Sequence, residues 1–156
     1  MERTLVVLKP DAVQRRLIGS IVERLERKGL TVVGMKMLTM EPERARRMYA
    51  VHEGKDFYPR LLAFMTSSPV VALVLEGKDA VGVTRSLMGP TFGPDAPPGT
   101  IRGDFGMSRR YNLVHGSDSP ESAQREIGVL FESHELQQYS VSGRDWVYDL
   151  TGTEPI

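Results

Sequence analysis

The sequence predicts an α+β fold: an antiparallel sheet covered by helices, in one domain over residues 1–156. Three observations carry that expectation. Short apolar runs of strand length, "TLVVLK", "TVVGMKMLTM" and "VVALVLE", recur along the chain. Segments with apolar residues at helical spacing separate them. One stretch, residues 89–111, holds five of the fifteen glycines and four of the ten prolines, and fits neither pattern.

The elements follow in order. "TLVVLK" (4–9) is a continuous apolar run, as a central strand requires, and Pro10 ends it. Leu17, Ile18, Ile21, Val22 and Leu25 share one helical face, and Gly29 stops that helix. Residues 31–40 alternate as a second strand. Pro42 opens a helix at a tolerated first-turn position, with Ala45, Met48 and Tyr49 on one face and Gly54 at its close. Arg60–Met65 supplies the other arm of a helical hairpin. "VVALVLE" (70–76) is the plainest strand, and residues 79–88 form a helix with Ala80, Thr84, Leu87 and Met88 inward. Residues 89–111 read as a long Pro/Gly-rich loop, of a length that is functional or disordered in compact domains. Leu113–His115 is a short strand. Ser119 and Pro120 form an N-cap and first helical position, ahead of Ala123, Ile127, Leu130 and Phe131. "DWVYDL" in the tail is strand-like. The order β-α-β-(αα)-β-α-loop-β-α fits a ferredoxin-like split βαβ sandwich with an inserted helical hairpin.

Composition narrows the function classes. Twenty basic residues balance twenty acidic ones, so no net field draws nucleic acid or membrane, and any anion site is local. With no cysteine, disulfides, thiolate zinc sites and cysteine nucleophiles are excluded. The N-terminus has too short an apolar stretch for a signal peptide, and no run approaches a membrane span, which points to a cytoplasmic protein.

"NLVHGSDS" (112–119) is the segment that suggests chemistry. His115 follows an apolar pair and precedes a glycine and three small polar residues, a way to present an imidazole at a cleft edge. Alone, such a residue is more often a satisfied loop histidine. Asn112, Ser117 and Glu126 lie near it in sequence, and a carboxylate on one ring nitrogen leaves the other free as a nucleophile. Position alone favours reading Glu126 as a solvated helix residue. Arg85 and Arg102 carry forks that match phosphate oxygens. Lys9 at a strand end either binds something or marks a strand that has reached the surface. Tyr49 and Phe57 flank the bend of the helical hairpin, where aromatics more often cap the core. His52 and His134 receive no role, and three scattered histidines make no metal site. "DFG" (104–106) lacks every companion motif of a protein kinase, and no Walker A sequence is present.

Taken together, "TLVVLKPDAVQRRLIG" (4–19), "PPGTIRGDF" (97–105) and "NLVHGSDSPESAQREIG" (112–128) closely resemble the nucleoside diphosphate kinase family, with similarity running from Thr4 to the "DWVYDL" segment. The resemblance implies a ping-pong transfer of the γ-phosphate of a nucleoside triphosphate to a nucleoside diphosphate through a phosphohistidine on His115. It implies that Lys9 contacts the ribose 3′-hydroxyl and the transferring phosphate, and that Asn112 binds the sugar. Arg85, Thr91 and Arg102 would hold the phosphates, Phe57 would stack on the base, and Tyr49 would lie near the γ-phosphate. Ser117 and Glu126 would orient the ring, and Gly116 would let the strand turn without a side chain in the cleft. Mg²⁺ would bridge substrate phosphates, since the sequence shows no carboxylate cage for a metal. The assembly implied is a homo-oligomer, a hexamer.

Two positions depart from the family pattern. Arg109 stands where a small apolar residue near the base is common, and Phe92 where asparagine is common. The rival reading is a non-catalytic sandwich that binds nucleic acid or serves as a scaffold. Balanced charge and the lack of an RNP1-like aromatic strand count against it.

Overall fold

The computed structural model describes residues 1–152. Four strands, β1 (Glu2–Leu8), β2 (Thr31–Leu38), β3 (Val70–Gly77) and β4 (Val114–Gly116), form one sheet in the order β2-β3-β1-β4. Every neighbouring pair is antiparallel. β1 and β2 therefore run the same way with β3 between them, which is the split βαβ arrangement expected.

Alternation along β1 sends side chains to both faces. Val6 and Leu8 join one core, with Ala12, Ile21, Leu25, Ala80, Met88 and Ile101. Leu5 and Val7 join the other, with Ala45, Met48, Met65 and Leu130. The first face is covered by α1 (Pro10–Gln14), α2 (Ile18–Arg27), α5 (Ala80–Met88) and α6 (Ile101–Phe105). The second is covered by α3 (Pro42–Met48), α4 (Tyr58–Met65) and α7 (Pro120–Leu130). Burial on both sides explains why β1 and β3 read as unbroken apolar runs rather than half-polar strands. Each fully buried Val or Leu there contributes about 1.5–3 kcal/mol, and this central ladder is the rigid base of the site.

Four expectations need correction. Pro10 does not merely end β1. It is the first residue of α1, whose N-cap is Lys9, because a proline lacks only an N–H that the first turn leaves unused. Residues 89–111 are not all loop. They contain a 3₁₀ turn at Gly93–Asp95 and helix α6, capped by Thr100, whose Oγ1 accepts the Gly103 N–H at 3.0 Å. Gly103 hides this helix from propensity, and it is there for space: a Cβ would lie 2.0 Å from the Pro97 carbonyl oxygen. Leu113 is outside β4, which runs only from Val114 to Gly116. The "DWVYDL" segment is not a strand. Arg144–Trp146 is a 3₁₀ turn with Trp146 exposed, and the run adds no strand to the sheet, although the Tyr148 hydroxyl accepts the Lys78 N–H at 3.2 Å just past β3.

Candidate active site

Antiparallel register sets His115 opposite Val7, on the face covered by α3, α4 and α7, while its neighbours Val114 and Gly116 turn toward α5. A cleft of about 780 Å³ opens beside it, within the size range of small-molecule sites. Lys9, Tyr49, Phe57, Arg85, Thr91, Arg102, Asn112, His115, Gly116 and Glu126 all line it. Ser117 lies behind this wall, fully buried.

The His115 imidazole is held from its Nε2 side. Nε2 lies 2.8 Å from Glu126 Oε2, and Ser117 Oγ donates to that same oxygen at 2.7 Å. Arg125 donates to Glu126 Oε1 at 3.1 Å. Burial pushes the Glu126 carboxyl up, but the hydrogen bond and charge of His115, the Ser117 hydroxyl and the Arg125 charge outweigh it and hold it below the ordinary glutamate range. An ionised carboxylate only accepts, so Nε2 carries the proton. The lone pair of a neutral ring then sits on Nδ1. Tyr49 packs edge-on against the ring, with centroids 5.6 Å apart. Its hydroxyl is buried and has no partner among the described residues. Burial and the Glu126 charge raise its pKa, so it remains a donor.

Gly116 serves the site differently from the role expected of it. Its φ is not positive, so the backbone does not need glycine there. Space does: a Cβ would lie 2.5 Å from Met88 Sδ. The absent side chain lets α5 pack directly on the strand that carries His115.

A second cluster lies beside the ring. Lys9 Nζ donates to Asn112 Oδ1 at 2.7 Å, and Asn112 Nδ2 donates to the Thr91 carbonyl at 2.9 Å. Burial pushes the Lys9 ammonium down to about 8; the Arg102 charge adds to this and the Asp11 charge opposes it. Arg102 is buried too. Its guanidinium donates to the carbonyls of Asn112 (3.1 Å), Gly89 (3.0 Å) and Val114 (2.7 Å). Burial, with Arg85 nearby, lowers it to about 10. Arg102 thus pins the backbone around His115 and keeps only part of its donor set for a ligand. Arg85 and Thr91 are exposed at the cleft.

At the mouth, Phe57 is 44% exposed and tilts against His52 at 5.3 Å. Arg109 pairs with Asp95 at 3.0 Å and lies over the Phe92 ring at 5.1 Å. The sequence reading passed over His52, Arg60, Asp118 and Arg125, which also line the cleft. Arg60 and Arg125 look like solvated helix charges in the sequence. The "GSDS" run did offer a signal for Asp118, three residues from the histidine.

Charge in the cleft is arranged for an anion: Lys9, Arg60, Arg85, Arg102, Arg109, Arg110 and Arg125 against Asp118 and Glu126. Glu126 is already engaged by His115, Ser117 and Arg125. Among the described residues no group of three or more His, Asp or Glu is placed to hold a metal ion.

Similar proteins are known both by sequence and by structure. The sequence model of nucleoside diphosphate kinase matches residues 2–136. A nucleoside diphosphate kinase of Staphylothermus marinus is 55% identical over 135 residues, covering 86% of this chain and 96% of the relative. One from Staphylococcus epidermidis (strain ATCC 12228) is 51% identical over 149 residues, covering 96% and 100%. The structure of a halophilic nucleoside diphosphate kinase from Halobacterium salinarum in complex with CDP superposes with a TM-score of 0.92 at 50% identity, covering 94% of this chain and 98% of that one. The similarity spans nearly the whole chain in both sequence and structure: the chain belongs to the nucleoside diphosphate kinase family, enzymes that transfer phosphate between nucleotides.

Proposed function

We propose that His115 Nδ1 is the nucleophile that carries the phosphoryl group between a nucleoside triphosphate and a nucleoside diphosphate. The observation that carries this reading is the Nε2–Glu126 contact of 2.8 Å, which assigns the ring proton and leaves Nδ1 unprotonated at the cleft. In the first half-reaction Nδ1 forms a bond to the γ-phosphorus. The bond from phosphorus to the bridging oxygen breaks, and its electron pair leaves on the β-phosphate of the diphosphate. In the second half, a β-phosphate oxygen of another diphosphate attacks phosphorus, and the P–N bond breaks. Glu126 offsets the positive charge that the ring gains on phosphorylation, and Ser117 and Arg125 keep Glu126 in place.

Phosphoryl transfer asks mainly for positioning and charge stabilisation. Arg85, Thr91 and Arg102 would bind the phosphates, with Arg102 offering the donors its backbone contacts leave free. The Tyr49 hydroxyl, an orphan donor beside the ring, suits a phosphoryl oxygen. Lys9 and Asn112 would share the sugar 3′-hydroxyl with each other, and Phe57 would stack on the base. The family generally needs a divalent cation. Mg²⁺ would be held mainly by the nucleotide phosphates and would neutralise their charge, with Asp118 the cleft carboxylate besides Glu126. The reading extends to a cytoplasmic homo-oligomer, a hexamer. Among the described residues no helix is long and apolar enough to cross a membrane. Exposed Met35, Met37, Tyr139, Trp146 and Val147 are apolar surface that subunit contacts would cover.

The test is phosphoenzyme chemistry. Incubation with γ-labelled ATP and Mg²⁺ should yield an acid-labile, alkali-stable label that a second nucleoside diphosphate removes. A label that survives acid, or a His115→Ala variant with near wild-type turnover, would overturn the assignment.

A further inference from the structure

Leu113 has a backbone that its own sequence does not favour. It is a fully buried, branched residue at φ +70°. The Val114 N–H donates to the Asn112 carbonyl at 2.7 Å across it, which makes this a γ-turn of the rare, strained hand. Such a conformation persists only where surrounding structure enforces it. Here the turn separates Asn112 from His115, so its geometry sets how the two side chains face the same ligand.

The clamp comes from the β1–α1 junction. The Leu113 carbonyl accepts the Lys9 backbone N–H at 2.8 Å. The Leu113 N–H donates to Asp11 Oδ2 at 3.0 Å. Its peptide groups are thus gripped at both ends, once by backbone and once by a side chain. Without Asp11, that N–H is a buried donor with no acceptor, and the turn keeps only the Lys9 backbone bond and the Arg102 contacts to the flanking carbonyls. Asp11 Oδ1 is itself buried and has no partner among the described residues. A neutral acceptor would make the same hydrogen bond, so the negative charge has a further consequence: it acts on the Lys9 ammonium, against Arg102 on the other side.

We propose that Asp11 is a positioning residue of the transfer reaction: by accepting the Leu113 N–H, its carboxylate holds the γ-turn that aligns His115 with Asn112. The proposal rests on His115 being the nucleophile. Asp11 acts through these residues and is assigned no contact with the substrate.

Two variants separate the hydrogen bond from the charge. Asp11→Ala removes both. Asp11→Asn keeps an acceptor and removes the charge. The readout is the single-turnover rate of His115 phosphorylation at saturating ATP and Mg²⁺, at pH 6.5. Displacing a reacting group by about 1 Å costs on the order of 10²-fold. Asp11→Ala should therefore fall about 10- to 100-fold, and Asp11→Asn no more than about threefold. A merely structural role would lower the unfolding midpoint of both variants and leave saturated rates unchanged. Asp11→Ala within threefold of wild type, or Asp11→Asn as slow as Asp11→Ala, would each overturn the proposal. Where Asp11→Ala does not fold, an Asp11→Asn rate more than threefold below wild type overturns it. A wild-type protein that takes up no label overturns the nucleophile assignment along with this proposal; labelled wild type with unaffected variants overturns this proposal alone.

Discussion

Lys9 is a buried cation whose presence should cost stability in a way that pH reveals. Replace it with methionine, which fills similar space without charge. In the folded protein burial lowers the Lys9 ammonium from 10.5 to about 8. Below pH 8 both folded and unfolded chains hold the proton, and the folded state bears the full cost. Between about 8 and 10.5 the unfolded chain holds more protons, so stability rises with pH. The gap, at ~1.36 kcal/mol per pH unit, is about 3 kcal/mol at pH 7. By pH 9.5, still below the lowered Arg102 value of about 10, about 2 kcal/mol of it should be relieved. Lys9→Met also strips Asn112 Oδ1 of its donor, a loss of ~1–3 kcal/mol, but that term does not change with pH. The assay is urea unfolding of wild type and Lys9→Met at equal protein concentration, from pH 7 to 9.5. The difference between them should move by about 2 kcal/mol in favour of wild type as pH rises, while the variant loses transferase rate at every pH. A difference constant within about 0.5 kcal/mol would refute the reasoning, since Lys9 would then titrate alike in both states.

Two further outcomes follow from the packing and the mouth of the cleft. Gly116→Ala should cost about 1–3 kcal/mol, because its Cβ would lie 2.5 Å from Met88 Sδ; Met88→Ala should relieve part of that, giving a double-mutant coupling above ~1 kcal/mol in unfolding, and zero coupling would mean the strand and α5 adjust independently. Base selectivity should be weak, since Phe57 offers a π-face that every base can use and Asp95 already engages the Arg109 guanidinium; kcat/KM for ATP, GTP, CTP and UTP should agree within ~100-fold, with any guanine advantage lost in Arg109→Ala, and a larger preference would place a specific reader in the mouth.

The sheet was legible because its residues obey local rules. β1 and β3 are unbroken apolar runs, and the antiparallel sheet covered on both faces follows from them. Ser119 and Pro120 announce α7 through capping chemistry that needs no distant partner. The candidate site residues came from the resemblance rather than from local rules, under which His115 reads as a loop histidine and Lys9 as a strand end that has reached the surface. What local rules could not supply was anything enforced from far away in the chain. Helix α6 escaped because Gly103 is there to pass the Pro97 carbonyl, a contact that propensity does not weigh. The "DWVYDL" run alternates like a strand but pairs with none, so pattern without a partner became a turn. Gly116 looked like freedom for the backbone and is room for Met88. The chemical sense of the site is tertiary throughout. Glu126 becomes the ring's anchor only because α7 returns across β1 to set it 2.8 Å from Nε2. Leu113 holds a positive φ where Asp11 and Lys9, a hundred residues earlier, bind its peptide groups and Arg102 binds the carbonyls on either side. The sequence by itself determined which elements form and which side chains are available for chemistry. Tertiary structure decided which nitrogen is free, which cations are buried and which strain is held, because each depends on hydrogen bonds and desolvation between segments that only the folded sheet brings together.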